Sequence, residues 1–475
     1  MQMVHEISAK SLSTAEVAAM AGIHKDTLLR WLRKGIISEP GRNRYGWRAF
    51  SLDQAQNIMQ YAQQPPDAEN IGTSITGGKK IPLALSVLNA MDWDFSGAKT
   101  NYLTHSIHPY PAKFIPQIPN ALIQELSSVG DMVGDIFCGS GTTLVEALTL
   151  KRNTVGVDAN PLACLIARSK TSIINADDVF ELSEVSRKSK ALSESIITYG
   201  TNNLFSSQPF LSSGWRPSFP KHDFWFDAHV TEELAEALSY CLTLNSASSK
   251  NLALTAFSSI VVSVSKQDSD TRYVRREKNI QIGETLRRFA RAIDQVIHAV
   301  SEFSELVEPR FRCDVISENL LSNPKIPMMD LMVCSPPYPN AYSYHLYHRT
   351  RMLWLGMDQP LFKKEEIGSH RKYSSNSKNG ATVETFRHEF NSIMKWLSIN
   401  LKKGGYACFV VGDSTLKGQK IDNASLIKDS GTLAGFIEVA RINRTIQSTK
   451  KAFNPAHGTI KTEQILILEN SGKIR

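Results

Sequence analysis

At 475 residues, with a net charge of +8 and 42% hydrophobic residues, the chain can bury a large core in two or three domains, and its mild basic excess favours a polyanionic partner. Its six cysteines (Cys138, Cys164, Cys241, Cys313, Cys334, Cys408) stand alone, which excludes a disulfide framework or a Cys-x-x-Cys metal knuckle; reduced thiols and no metal are expected. No apolar signal segment opens the chain and no run approaches the ~20 apolar residues of a membrane span, so a soluble cytoplasmic protein without a membrane partner is expected.

Residues 12–34 read as two short helices around a turn. Ser13 or Thr14 can cap the first, Val17, Ala18 and Ala21 give it an apolar face, and Gly22 ends it. The second starts at Asp26 or Thr27 and carries Leu28, Leu29, Trp31 and Leu32 among Lys25, Arg30, Arg33 and Lys34. Pro40–Arg48 follows as a basic, hairpin-like loop with two aromatics. Helix, turn, basic helix and basic wing is the pattern of a winged helix-turn-helix DNA reader. Its candidate DNA contacts are Lys25, Thr27, Arg30, Arg33, Arg42, Arg44 and Arg48; a helical module for protein contacts is the alternative. The runs Thr14–Ala18, Arg30-Trp31 and Arg48–Ser51 resemble the amino-terminal domain of the MerR family of regulators. A polar linker over 63–80 then separates this domain, 1–62, from a larger body.

His108–Pro116 is too rich in proline for a helix until about Gln117, and one is then expected from Pro119 to Leu126. Asp131–Phe137 reads as a strand, Cys138–Thr143 as a glycine turn into a helix with Leu144, Val145, Ala147 and Leu148, and Asn153–Val157 as a second strand ending in Asp158. That is a βαβ unit. Gly139 and Gly141 would let the main chain pass close under a ligand and expose N–H groups at a helix start. Asp158 is placed to accept hydrogen bonds from ribose hydroxyls. Thr143-Leu144 stands where the dinucleotide fingerprint has its third glycine, so a nucleoside with a small charged tail fits better than a pyrophosphate.

Phe224-Trp225-Phe226, a helical stretch over Thr231–Tyr240 and an apolar stretch over Leu252–Val264 point to an inserted helical subdomain. A basic segment follows, with Lys266, Arg272, Arg275, Arg276 and Lys278, then a helix bearing Arg287, Arg288 and Arg291. It is either a target-recognition region, with Arg272, Arg275 and Arg276 on DNA, or a solvated face.

Met328–Met332 reads as a buried strand leading into Val333–Tyr338, Val-Cys-Ser-Pro-Pro-Tyr. Two prolines force the chain out of the sheet at Ser335 in a stiff direction. That presents a hydroxyl, main-chain carbonyls and an aromatic ring at the carboxyl end of a strand, where ligands of open α/β sheets collect. A planar molecule with an exocyclic amino group suits it. Beyond lie Tyr342, Tyr344, His345, Tyr347, His348, Arg349 and Arg351, fit for stacking and phosphate contact or, for about half of the aromatics, for core. A mobile loop is expected over Lys363–Gly380, a strand over Tyr406–Val411, and an antiparallel pair of Phe436–Asn443 with Thr462–Leu468.

Asp135–Thr143 resembles the S-adenosylmethionine-binding motif of the amino-methylating DNA methyltransferases, and Ser335-Pro336-Pro337-Tyr338 their catalytic motif in the form typical of cytosine-N4 enzymes. His108–Phe114 is similar to the segment that closes over the methionine end of the cofactor, and Gly156–Pro161 to the ribose-binding strand end. The resemblance covers roughly 90–470. It implies S-adenosylmethionine as cofactor, duplex DNA as partner and Ser335, Pro336, Pro337 and Tyr338 as catalytic residues. The cofactor residues would be Lys113, Phe114, Asp135, Phe137, Cys138, Gly139, Ser140, Gly141, Thr142, Thr143, Asp158 and Ala159. A companion restriction or defence protein stays open, as do adenine-N6 methylation, an RNA substrate and a DNA-binding regulator with an inactive body. The expected fold is α/β: a Rossmann-like methyltransferase sheet split into 81–180 and 311–475 around a helical insertion, 181–310, plus the small winged helix.

Overall fold

A computed structural model describes residues 12–23, 28, 31–32, 37–38, 40–42, 48–63, 83–95, 97–111, 113, 115–199, 214–337, 339, 343–369, 373, 381–416, 419–445 and 462–472. The chain divides into two units, 1–80 and 81–475.

In the first unit a helix runs over Thr14–Met20, capped as its sequence suggests: Glu16 N–H donates to Ser13 Oγ and Ser13 N–H to Glu16 Oε2. Gly41–Arg42 pairs antiparallel with Arg48–Ala49. A helix not anticipated from the sequence follows over Leu52–Gln63. Val17, Ala18, Leu28, Leu32, Phe50, Ala55 and Ile58 form the core of this unit.

The second unit is built on a seven-stranded sheet. Its strands are β1 (Met132–Asp135), β2 (Asn153–Asp158), β3 (Cys313–Ser317), β4 (Met329–Cys334), β5 (Leu401–Gly412), β6 (Phe436–Thr445) and β7 (Thr462–Asn470), in the spatial order β6-β7-β5-β4-β1-β2-β3. β1 to β5 pair in parallel, and β7 runs antiparallel between β5 and β6. The chain winds outward from β1 through β2 to β3, then returns to place β4 on the other side of β1. The order thus reverses between β1 and β4, which opens a crevice at the carboxyl ends of those strands. This is the Rossmann-like architecture expected.

β4 is apolar without interruption because both its faces are covered. Leu331 and Val333 pack with Leu122, Val410 and Ile465 on one side. Met332 and Cys334 pack with Phe386, Phe390 and Met394 on the other. The covering helices include α1 (Gln117–Leu126), α2 (Thr142–Thr149), which joins β1 to β2, and α3 (Pro161–Lys170), which leaves β2. Between α3 and β3 lie α4 (Ala176–Tyr199), α5 (Ala228–Leu242), α6 (Ala247–Val264) and α7 (Glu284–Leu306). Their shared core of Phe226, Leu234, Leu238, Phe257, Val261, Phe289 and Ile293 makes the insertion a folded layer, and the apolar stretch at Leu252–Val264 is its central helix. Among the described residues no helix is long and apolar enough to cross a membrane.

Four expectations are corrected. β1 stops at Asp135, not Phe137, because the Asp135 carboxylate takes the Phe137 N–H at 3.1 Å and turns the chain. α1 starts at Gln117, since Pro119 falls in a first turn whose N–H groups need no helical partner. Lys363 and Lys364 belong to a helix over Gln359–Glu365, capped by Asp358, and not to a loop; 370–372 and 374–380 lie outside the described residues. Arg351 is no phosphate contact: it is fully buried, ion-paired with Asp270 and donating from Nε to the Ser258 carbonyl at 2.9 Å. His345 and His348 are buried beside it in sequence, as is Trp354.

Candidate active site

The glycine turn after β1 shows how local chemistry shapes the site. Gly139 and Gly141 have φ of 48° and 81°, the left-handed region that favours glycine. A Cβ on Gly141 would stand 3.1 Å from Ala167, so this glycine lets α2 pack closely against α3. The two N–H groups are not offered to a ligand as expected. Gly139 N–H donates to Asp158 Oδ2 at 2.9 Å, and Gly141 N–H to the Cys138 carbonyl at 2.7 Å, because a turn this tight closes its own hydrogen bonds.

The turn forms one wall of an open cleft. Of the residues expected to bind a cofactor, Lys113, Phe137, Cys138, Gly139, Ser140, Thr142, Asp158 and Ala159 line it. Ser335, Pro336 and Pro337, from the end of β4, line the same cleft. Asp135, Gly141 and Thr143 sit behind the wall, all buried. Phe114 and Tyr338 lie outside the described residues. Sequence reasoning missed Glu318 and Asn319, just past the end of β3, and the segment Phe362, Glu365, Glu366 and Ile367. The position of Glu318 at a third strand end was a signal; nothing in the spacing marked the Phe362–Ile367 segment. Tyr110, from the proline-rich stretch, lines the cleft and stacks on Tyr344 at 5.7 Å with 18° between the rings.

Among the described residues, four carboxylates (Asp158, Glu318, Glu365, Glu366) and one lysine, Lys113, are the charged groups in the lining. Asp158 is fixed by main-chain donors, Gly139 N–H and Asn160 N–H, the latter at 2.8 Å to Oδ1. Burial raises its carboxyl to about 6, against the pull of those two bonds. Asp135 rises further, to about 7, again by burial, with hydrogen bonds from Thr143 and Phe137 opposing. Glu366 accepts from Tyr344 N–H at 2.6 Å and pairs with His345, which ties the wall carrying Tyr344 to the segment ending in Ile367. Cys334 is buried at the foot of Ser335 and its thiol is pushed well up by burial, so it is no nucleophile.

Residues 39–169 match the family model described as a DNA methylase. The match takes in the glycine turn and Asp158 and ends well before Ser335. Curated relatives agree. A type II methyltransferase of Methanocaldococcus jannaschii, M.MjaII, is 41% identical over 85 residues, 17% of this chain and 16% of its own. M.MvaI of Kocuria varians is 28% identical over 281 residues, 55% of this chain and 60% of its own. M.BsoBI of Geobacillus stearothermophilus is 25% identical over 295 residues, 55% of this chain and 54% of its own. The chain thus spans little more than half the length of the relatives it matches most broadly. A solved structure, TrmN from Thermus thermophilus, overlays at a TM-score of 0.28 and 10% identity, covering 75% of this chain and 49% of that one.

The DNA methylase model matched over residues 39–169 implies S-adenosylmethionine as methyl donor, and the residues present fit it. The acid at the end of β2 suits a ribose, Ile136, Leu320 and Ile367 offer apolar surface to a base, and the surplus of carboxylates suits a cationic sulfonium.

Of the expected DNA contacts, Arg272, Arg275 and Arg276 lie on or beside a hairpin of Gln267–Ser269 with Arg272–Arg275 and are exposed. Each has a carboxylate neighbour: Asp268 for Arg272 and Arg276, Glu277 for Arg275, which also covers the Phe224 ring. Arg48 is half-buried; Lys25, Thr27, Arg30, Arg33, Arg44 and the Arg42 side chain lie outside the described residues.

Proposed function

We propose that this protein is a DNA methyltransferase that moves the methyl group of S-adenosylmethionine to the exocyclic N4 amino group of cytosine in duplex DNA. One observation carries the reading: Ser335, Pro336 and Pro337 line the same cleft as Gly139, Ser140 and Asp158. An acceptor set for an amino group and a site for a nucleoside therefore open onto one space.

Asp158 accepts from ribose hydroxyls while its main-chain donors hold the carboxylate still. Lys113 and Ser140 face the charged tail. The bound donor supplies an electrophilic methyl group. Cytosine's amino nitrogen is a poor nucleophile, because its lone pair is delocalised into the ring. The Ser335 hydroxyl and the Pro336 carbonyl accept its two hydrogens, draw it toward tetrahedral geometry and hold it in line with the methyl. Tyr338 stacks on a base flipped out of the duplex, where the atom cannot otherwise be reached. The first unit serves as a winged-helix DNA reader, and the hairpin arginines add phosphate contacts. The type II names of the relatives support a restriction-modification setting.

Nucleoside analysis of DNA incubated with the full-length protein and S-adenosylmethionine tests the reading. N4-methylcytosine is the expected product. N6-methyladenine in its place would move the target to adenine, and unmodified DNA in the presence of bound cofactor would leave a DNA-binding protein without transferase activity.

A further inference from the structure

Lys170, the last residue of α3, is fully buried. Among the described residues its side chain makes one hydrogen bond, from Nζ to Ser140 Oγ at 3.1 Å, and no ion pair. The buried carboxylate of this region, Glu146, is already engaged by Tyr102 Oη at 2.7 Å, His105 Nε2 at 2.8 Å and Asn120 Nδ2 at 2.6 Å. The charged and titratable groups whose fields reach Lys170 or feel it are Lys113, His105 and His108, none of them anionic. An ammonium so placed is costly. Burial, then repulsion from Lys113, hold the Lys170 amine well below the usual lysine range. Ser140 and Lys113 both line the cleft, so a ligand there can bring the missing negative charge.

We propose that the Ser140 end of the cleft is a carboxylate subsite, and that Lys170 is a positioning residue that supplies its buried counter-charge through Ser140. The inference rests on the S-adenosylmethionine reading and names where the carboxylate of that molecule's amino-acid tail goes. With no anionic partner among the described residues and its side chain fully buried, Lys170 is driven toward the neutral amine when the cleft is empty, and the Ser140 hydroxyl can then donate to its lone pair. A carboxylate arriving between Ser140 and Lys113 accepts that hydroxyl proton as a hydrogen bond instead. Lys170 then takes one proton from the solvent and, as an ammonium, donates to Ser140 Oγ. One N–H bond forms, one proton leaves the buffer, and no bond to carbon changes. Binding of the zwitterionic tail is therefore coupled to proton uptake, and affinity falls as pH rises.

Calorimetric titration of the full-length protein near neutral pH, in buffers of low and high ionisation enthalpy, counts those protons. Wild type should take up more protons with S-adenosylmethionine than with its decarboxylated analogue, which keeps the sulfonium and the amine but has no carboxylate. The difference between the two ligands is the readout, because Asp135, Asp158 and His105 contribute to both titrations. Lys170→Met and Ser140→Ala should each weaken S-adenosylmethionine by about tenfold or more, close that difference, and bind the analogue as wild type does. Equal uptake with both ligands overturns the proposal. So does a Lys170→Met protein that binds both as wild type does. Should Lys170→Met fail to fold, the two-ligand comparison on wild type and Ser140→Ala still decides. Failure of both ligands to bind wild type overturns the cofactor reading and this subsite with it.

Discussion

Thr143 and Val333, 190 residues apart, are joined by a hydrogen bond: the Thr143 hydroxyl donates to the Val333 carbonyl at 3.3 Å. The bond seats α2, which follows the glycine turn, on β4 two residues before Ser335. Thr143→Val keeps the shape and loses the hydroxyl that serves both the Val333 carbonyl and the Asp135 carboxyl. It should cost about 1 kcal/mol of stability, read as a lower midpoint of urea unfolding. Transfer rate should fall more than cofactor affinity, since what relaxes is the seat between the two motifs. An unchanged midpoint would show that the hydroxyl contributes nothing.

Asp135 predicts a pH dependence of stability. Its folded carboxyl, at about 7, lies above the ordinary 3.8, so the unfolded chain loses this proton first as pH rises. The folded state therefore loses relative stability between about pH 4 and 7, and the loss is complete above that window. Asp135→Asn mimics the protonated form and should gain on wild type by up to ~4 kcal/mol at pH 8, with the gain shrinking by roughly half at pH 5.5. The same difference at both pH values would mean that Asp135 does not titrate there.

For Asp158 the expected effect is on cofactor affinity. Asp158→Ala removes the acceptor for ribose and frees Gly139 N–H and Asn160 N–H, which should weaken S-adenosylmethionine by roughly 1–3 kcal/mol. In wild type, affinity should drop as pH falls through about 6, where the carboxylate takes up a proton. Calorimetry on both proteins checks this, and an affinity untouched by the substitution removes Asp158 from the site.

Ser335→Ala should bind cofactor and DNA almost normally and lose transfer rate, on the order of tenfold to a hundredfold, equivalent to about 1.4–3 kcal/mol of transition-state stabilisation. Ser335→Asp keeps some acceptor capacity, so partial activity on the same base is expected, not a change of base. Single-turnover transfer to a duplex carrying a mapped site is the measurement. Wild-type rates in Ser335→Ala would sink this role.

Arg351→Ala should behave as a folding lesion. It leaves the partly exposed Asp270 without its partner, the Ser258 carbonyl without its donor and a gap beside the buried His348 and Trp354, so a loss of roughly 1–3 kcal/mol is expected. Thermal unfolding should show it, while the salt dependence of DNA binding stays as in wild type. A flatter salt slope in a normally stable variant would return Arg351 to the phosphate-contact role that its neighbours in sequence suggested.

The parts legible in the sequence were those whose signal is local. The strand, glycine turn, helix, strand and acid over 131–158 carry their own punctuation, and so do the prolines that stop β4. The helix over Leu52–Gln63 was legible and overlooked: Ser51 N–H donates to Gln54 Oε1 and Gln54 N–H to Ser51 Oγ, a capping box written plainly as Ser-x-x-Gln. Arg351 and Lys170 were not legible. A cation in a run of aromatics, or at the end of a helix, reads as exposed until the fold buries it, and only packing across 258–351 and 140–170 decides that. Glu366 was hidden for the same reason, since its partners Tyr344 and His345 meet it across the helices Arg349–Trp354 and Gln359–Glu365.

β2 and β3 are neighbours, Asp158 opposite Ser317, although α3 and the four longer helices α4 to α7 separate them in the chain. The chain thus leaves the sheet and comes back to it at adjacent points, and none of the described residues lining the cleft comes from α4 to α7. The helices behave as a cassette hung from a fixed frame. A change in them that spares the contacts of α6 with Arg351 and His108 leaves Gly139 and Ser335 in their places, so the frame of the site and the layer beside it can vary separately.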